Sequence, residues 1–427
     1  MNAKNKNSSW IPELDGLRVI MIFLVSAYHI WQQSWLTPRI GNITMDPLLR
    51  SGYLWVDGTV TLSAFLLAPP YARSRMEGTP WPNTKAFYRR RAIRILPSYY
   101  FILLLVLLAV CLPWQLYHSP QYLVKDLATH LTFTFPFFRD TYINTPLGAA
   151  CWTLAIEAQA YLIYPLLAAG ARRHPVAVPL GMAAVGWGFR LWCLWSLEEY
   201  SMVVNQMLNF LDIYALGMGL APLYLKMKTL DAKKIAGRSG KRERSTPWGT
   251  LLPVLATLAF AGAVWGLAYL VRLYAGSSVG SASRGLGGWL VQLLGNPAAG
   301  SNYVIIQRNQ MVYRPLLALC FGVLILTAPL SVKPLRVLLG NRVTHFLAGI
   351  SMNYYLIHQT IIVHMRRLQF PYSVAEYPNQ VGEQPWQSQY TLLAFALSLL
   401  AAILITYLIE RPASRWLNSR FPRDGRW

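Results

Sequence analysis

The sequence is poor in charge, and poorest in acid. Only 13% of its 427 residues are Asp, Glu, Lys or Arg, where a soluble protein carries about a quarter. Acidic residues number 17 against 39 basic ones, giving a net charge of +22. In a soluble protein such an excess would point to nucleic acid. Here the basic residues cluster in short segments between long apolar runs, the positive-inside pattern of a membrane protein, so the expected partner is a lipid bilayer and not nucleic acid. Cysteine is scarce as well. Cys111, Cys151, Cys193 and Cys320 all lie in or at the ends of apolar runs. Neither disulfide pairing nor metal-ligand spacing is visible, so they read as small core hydrophobes and no metal site is expected. The first apolar run lacks a small-residue cleavage site and is too long for a removed signal peptide. No internal repeat is visible.

What is abundant is hydrophobic sequence, 54% of the chain. Many runs reach the ~20 residues needed to cross a bilayer. The pattern predicts an all-α polytopic membrane protein, one integral domain over 1–427 with about ten transmembrane helices. They fall near 15–36, 53–70, 95–112, 151–170, 176–195, 203–225, 250–273, 312–330, 345–364 and 390–409. Between them lie a polar tail (1–12), a basic cytoplasmic loop (226–248) and an extracytoplasmic loop (274–311). The aromatic, amphipathic stretch 122–138 reads as an interfacial helix on the outer side. An even helix number puts both termini on one side. With that side cytoplasmic, cytoplasmic segments hold 27 basic residues and outer segments 10, counting Arg272 and Arg314 near the span ends with the outer ones, so both termini are expected in the cytoplasm.

Ionisable residues inside apolar runs are costly and usually face a cavity or the bundle interior. Arg18 and His29 share the first run, separated by ten residues. Three helical turns put them on one face, ~16 Å apart along the axis. Taken singly, each has a structural reading: a snorkelling arginine and a hydrogen-bonded core histidine. In the fourth run Trp152 precedes Glu157, Tyr161 and Pro165, and the last three fall at steps of four on one stripe. Glu157 either makes a structural pair with a tyrosine or arginine, or fixes the geometry of a site. Arg89, Arg90, Arg91 and Arg94 cluster at a helix start. That arrangement suits a phosphorylated ligand, because guanidinium grips phosphate in bidentate fashion; it also suits a simple topological anchor. No nucleophilic Ser or Cys stands out.

Five segments together resemble the membrane acyltransferase-3 family. They are Glu13-Leu-Asp-Gly-Leu-Arg18 with His29 after ten residues, Phe87 to Pro97, Cys151 to Pro165, Leu339 to His358, and Glu410-Arg-Pro412. Two positions depart from the family pattern. Ala64 stands where a glycine is usual, which puts close backbone packing there in doubt, and Asn353 stands where a tyrosine is usual. Glu410 is expected to pair with an arginine. The resemblance implies an O-acyltransferase of the cell membrane, a multi-pass protein of a bacterial inner or cytoplasmic membrane, without the extracellular esterase-like domain appended in some relatives. It would move an acyl group, usually acetyl, from cytoplasmic acyl-CoA to a hydroxyl of a cell-envelope glycan or another acceptor. Acyl-CoA is a co-substrate, and no tightly bound cofactor is expected. In that picture His29 is the general base, Arg18 holds the donor or stabilises developing negative charge, and Glu157 fixes the catalytic geometry. Arg90, Arg91 and Arg94 grip the CoA phosphates, while Trp152, Tyr161 and His358 line the substrate cavity. The rival readings are a transporter or flippase with a buried His/Glu/Arg relay, and a non-catalytic scaffold.

Overall fold

The computed structural model describes residues 10–148, 151–236, 247–277 and 302–421. It is an all-α polytopic membrane protein. Its helices are α1 Glu13–Ser34, α2 Asp46–Arg50, α3 Trp55–Leu67, α4 Pro69–Glu77, α5 Thr84–Val106, α6 Pro120–Leu131, α7 Arg139–Tyr142 and α8 Trp152–Arg173. Then follow α9 Ala177–Ser196, α10 Leu211–Ala236, α11 Pro247–Ser277, α12 Asn302–Thr327, α13 Lys333–Leu339, α14 Arg342–Arg367, α15 Trp386–Ile405 and α16 Arg411–Arg420. The one sheet among the described residues is a two-stranded ribbon that pairs Arg39 with Thr44 and Ile40 with Ile43.

Nine helices among the described residues are long and apolar enough to cross a membrane. The expected helix over 53–70 is not among the nine because it is divided at Ala68: a one-turn 3-10 helix, Gly52–Leu54, leads into the thirteen-residue α3, and α3 into α4. The divided segment still traverses the bundle, from the C-terminal end of α1, where Tyr53 meets Tyr28, to the arginines of α5, where Tyr71 meets Phe87. Most of α3 is sheathed in protein: Val56, Asp57, Val60, Thr61, Leu62, Ala64, Phe65 and Leu67 are all buried. Pro69 and Pro70 open the next helix, since proline is tolerated in a first turn.

Helix α1 packs against α3, α14 and α15, α10 against α3 and α9, and α12 against α3 and α11. Ala64 touches α10 at Gly217, where a Cβ would collide with Ala64 and with the Phe65 amide nitrogen. The close helix approach survives the alanine because the missing side chain is on the partner helix. Gly16 is similarly pressed against the end of α13, where any Cβ would meet the Leu339 carbonyl. Local signals set several boundaries. Asn83 caps α5 by accepting from Ala86 N at 2.9 Å. Asn341 and Thr344 form a reciprocal capping box at the start of α14.

Loop boundaries differ from the sequence expectation. Helix α10 runs on to Ala236, so the basic segment 226–248 begins as helix, and residues 237–246 lie outside the described residues. Helices α11 and α12 reach Ser277 and begin at Asn302, so both ends of the expected loop 274–311 are helical; residues 278–301 lie outside the described residues. Of the polar tail only residues 10–12 are described. The amphipathic stretch forms α6, and Asp126 and His130 are fully buried within it. Asp126 accepts from Tyr117 at 2.8 Å and Thr145 at 2.9 Å, which ties the segment down.

Candidate active site

The Leu-Asp-Gly-Leu-Arg segment divides its labour. Glu13 accepts from Arg336 at 2.8 Å. Asp15 accepts from the Trp10 indole at 2.9 Å and faces His345 Nδ1 at 2.9 Å. Gly16 lets α13 close in. These residues fasten the start of α1, and Arg18 projects from the fastened turn into a cavity of about 330 Å³. Arg94, Asp15, His345 and Glu410 line the same cavity. Neither Arg18 nor Arg94 hydrogen-bonds or ion-pairs with another described side chain. The groups acting on the Arg18 guanidinium are Arg94, Asp15, Glu157 and Tyr161.

The structure thus brings Arg18, Arg94, Glu157 and Tyr161 into one neighbourhood. Tyr161 donates to Glu157 at 2.8 Å, and its oxygen lies 3.4 Å from Ser63 Oγ. Arg91 sits over the rings of Tyr161 and Phe87, at 5.4 and 5.5 Å, in cation–π geometry. Arg90 lies on the exposed face of α5, outside the cavity lining. Trp152 packs against Phe210, with ring centres 6.4 Å apart.

His29 lies near the opposite end of α1. Its ring is 5.3 Å from His358 and 5.0 Å from Tyr28. His358 is fully buried. Its Nδ1 lies 2.6 Å from the Tyr355 carbonyl. A carbonyl only accepts, so Nδ1 carries the proton and Nε2 presents a lone pair. That Nε2 has no hydrogen-bond partner among the described residues. Tyr355 stands 5.6 Å from His358 and lies within electrostatic reach of Glu157. A polar track therefore joins the two ends of the site: Arg18, Glu157 with Tyr161, Tyr355, His358, His29.

Sequence reasoning missed three features. Glu410 takes the Asn353 amide at 2.6 Å where an arginine was expected. Asn353 also donates to Thr406 at 2.7 Å, and a π-helical turn over Thr406–Glu410 aims both side chains at it. The departure of Asn353 from the family pattern was the available signal. Gln32, beside His29, carried none. Nor did Asp57, the partner of a fully buried arginine, Arg314. No group of three or more His, Cys, Asp or Glu among the described residues is placed to hold a metal.

The family described as an acyltransferase domain, acyltransferase family 3, matches residues 11–411. The chain belongs to this family. Its sequence is similar to peptidoglycan O-acetyltransferase OatA of Listeria monocytogenes, 26% identical over 169 residues, which is 36% of this chain and 24% of that protein. It is also similar to O-acetyltransferase OatA of Staphylococcus aureus, 27% identical over 168 residues, 37% of this chain and 24% of that protein. The similarity thus spans about a quarter of the length of these relatives. No solved structure matches the chain.

Proposed function

We propose that this family member is a membrane O-acyltransferase that takes an acyl group from acyl-CoA at the Arg18 end and delivers it to a hydroxyl at the His29 end. The observation that carries the reading is the division of the site: two arginines free of ion pairs line an open cavity at one end, and two imidazoles face each other at the other. The ~16 Å between Arg18 and His29 along the helix supports a donor-holding role for Arg18. It is too far from His29 to stabilise charge at the reacting carbonyl. It therefore holds the donor, together with Arg91 and Arg94 on the phosphates, while the flexible arm of CoA follows the polar track inward. Glu157 keeps Tyr161 and the guanidinium of Arg18 in register along that track.

In this mechanism the acceptor hydroxyl gives its proton to His29 as its oxygen attacks the thioester carbonyl. The C–O bond forms and the C–S bond breaks. His29 returns the proton to the departing thiolate, releasing free CoA. Transfer is direct, with no acyl-enzyme. The acyl group is acetyl and the acceptor a cell-envelope glycan, a reading supported by the similarity to peptidoglycan and other O-acetyltransferases. The Arg18 end and both termini face the cytoplasm, a reading supported by the excess of basic residues there. The bacterial cytoplasmic membrane is the location this reading requires.

Proteoliposomes test it. With labelled acetyl-CoA on the side of the Arg18 cavity and a soluble glycan on the other, label should appear in alkali-labile esters on the glycan. Translocation of either compound with no ester formed would establish a transporter and overturn the reading.

A further inference from the structure

An imidazole that serves as a base needs one definite tautomer. Tyr28, His29 and Gln32 lie within about one turn of α1, where side chains three and four apart meet. Gln32 Oε1 is 2.9 Å from His29 Nδ1. The amide nitrogen of Gln32 donates to the Tyr28 hydroxyl at 2.9 Å. With the amide so oriented, its oxygen accepts the Nδ1 proton of His29. The Nε2 lone pair is then free on the other edge of the ring. Tyr28 is held in turn against Tyr53, with ring centres 4.8 Å apart. His358 repeats the arrangement with a main-chain acceptor, the Tyr355 carbonyl.

We infer that Gln32 is a positioning residue: through its side-chain oxygen it fixes His29 as the Nδ1–H tautomer and so presents Nε2 as the base toward the acceptor hydroxyl. The inference rests on His29 being the base. Gln32 is exposed at the His29 end of α1, so a substitution there removes a hydrogen bond while leaving the packed core intact. The role needs an acceptor atom, which separates it from side-chain bulk. A glutamate at 32 accepts only. A methionine has similar length and offers no comparable acceptor. A lysine offers donors only.

The experiment compares Gln32→Glu, Gln32→Met and His29→Ala in acetyl-CoA-to-glycan transfer, with melting temperature measured alongside. Gln32→Met should lower kcat about tenfold to a hundredfold, the range seen when groups that orient a functional histidine are removed. KM for both substrates and the melting temperature should stay unchanged, because the loss falls on the transition state. Gln32→Glu should keep most of the turnover. If Gln32→Met folds poorly, Gln32→Lys carries the same comparison. Near-native kcat in the non-accepting variant overturns the inference, and so does a Glu variant as slow as the Met variant. Full activity in His29→Ala overturns the base assignment and the inference with it; a dead His29→Ala beside an active Gln32→Met overturns the inference alone.

Discussion

Two clusters of arginine and carboxylate lie within the helical bundle, and they are built on opposite plans. In the first, Arg314 on α12 donates to Asp57 on α3 at 3.1 Å and to the Val204 carbonyl at 2.7 Å. Its guanidinium lies 4.0 Å from the centre of the Phe210 ring. Next to it Arg190 grips both oxygens of Asp212, at 2.9 and 3.0 Å. All four side chains are buried. In the second cluster Arg18 and Arg94 share a cavity with Asp15 and Glu410. Both carboxylates there are engaged elsewhere, Asp15 by Trp10 and Glu410 by Asn353. The first cluster spends its charge on itself and fastens α3 and α9 to the rest of the bundle. The second leaves two cations to the cavity. A charge inside an apolar run marks neither structure nor function by itself; the presence or absence of a committed partner tells them apart.

The comparison breaks most visibly at the closed cluster. Arg314→Met leaves Asp57 buried and unpaired, a loss of about 3–5 kcal/mol. Thermal unfolding in detergent should show it as a large drop in melting temperature, and Asp57→Leu combined with Arg314→Met should recover most of the loss. A single variant as stable as the parent would contradict the structural assignment. At the open cluster the order reverses. Arg18→Gln should melt like the parent, yet lose roughly tenfold to a hundredfold in kcat/KM for acyl-CoA, the equivalent of a charged hydrogen bond worth about 1.5–3 kcal/mol. Equal activity in a folded Arg18→Gln protein would remove Arg18 from the donor site.

Smaller effects sharpen the boundary of the open site. Arg94→Gln should raise KM for acyl-CoA several-fold and make it less sensitive to salt, because the lost contact is partly exposed. Arg94→Lys should restore only part, since the bidentate fork is missing. An unchanged KM in both would leave Arg94 a lining residue only. The smallest effect is expected at the exposed pair of Lys125 and Asp140, 2.5 Å apart. The Lys125 ammonium holds the Asp140 carboxyl below its usual range. A depressed carboxyl stabilises the fold above its unfolded value and loses that contribution as pH falls through its folded value. Lys125→Ala should therefore cost less than about 1 kcal/mol near neutrality. The difference from the parent should shrink as the pH falls below the ordinary carboxylate range and through the lowered value of Asp140; a difference that grows there would contradict the assignment.

Much of this was legible from residue order. Apolar runs located nine of the expected spans because hydrophobic length is a direct requirement of the bilayer. The tenth, over 53–70, is present as two consecutive helices, because Pro69 and Pro70 lack the N–H groups that would carry one helix through. Helical spacing placed Arg18 and His29 on one face, and the stripe of Glu157 and Tyr161 became a hydrogen bond at 2.8 Å. Glu410 was legible as a structural acid, but its partner was not, because Asn353 reaches it only through the π-helical turn at Thr406–Glu410. Gln32 was hidden for another reason. A single amide at a helix end carries no periodicity and becomes informative only when the neighbouring side chains are in place.

The account rests most directly on His29. Single-turnover acyl transfer by purified His29→Ala, with melting temperature and acyl-CoA binding measured on the same preparation, tests it. The expected result is a rate lower by ~10²–10⁴-fold, the usual worth of a general base, with stability and donor binding unchanged, since the donor is held at the far end of α1. A folded His29→Ala protein that binds acyl-CoA normally and transfers its acyl group at the parent rate would contradict the account.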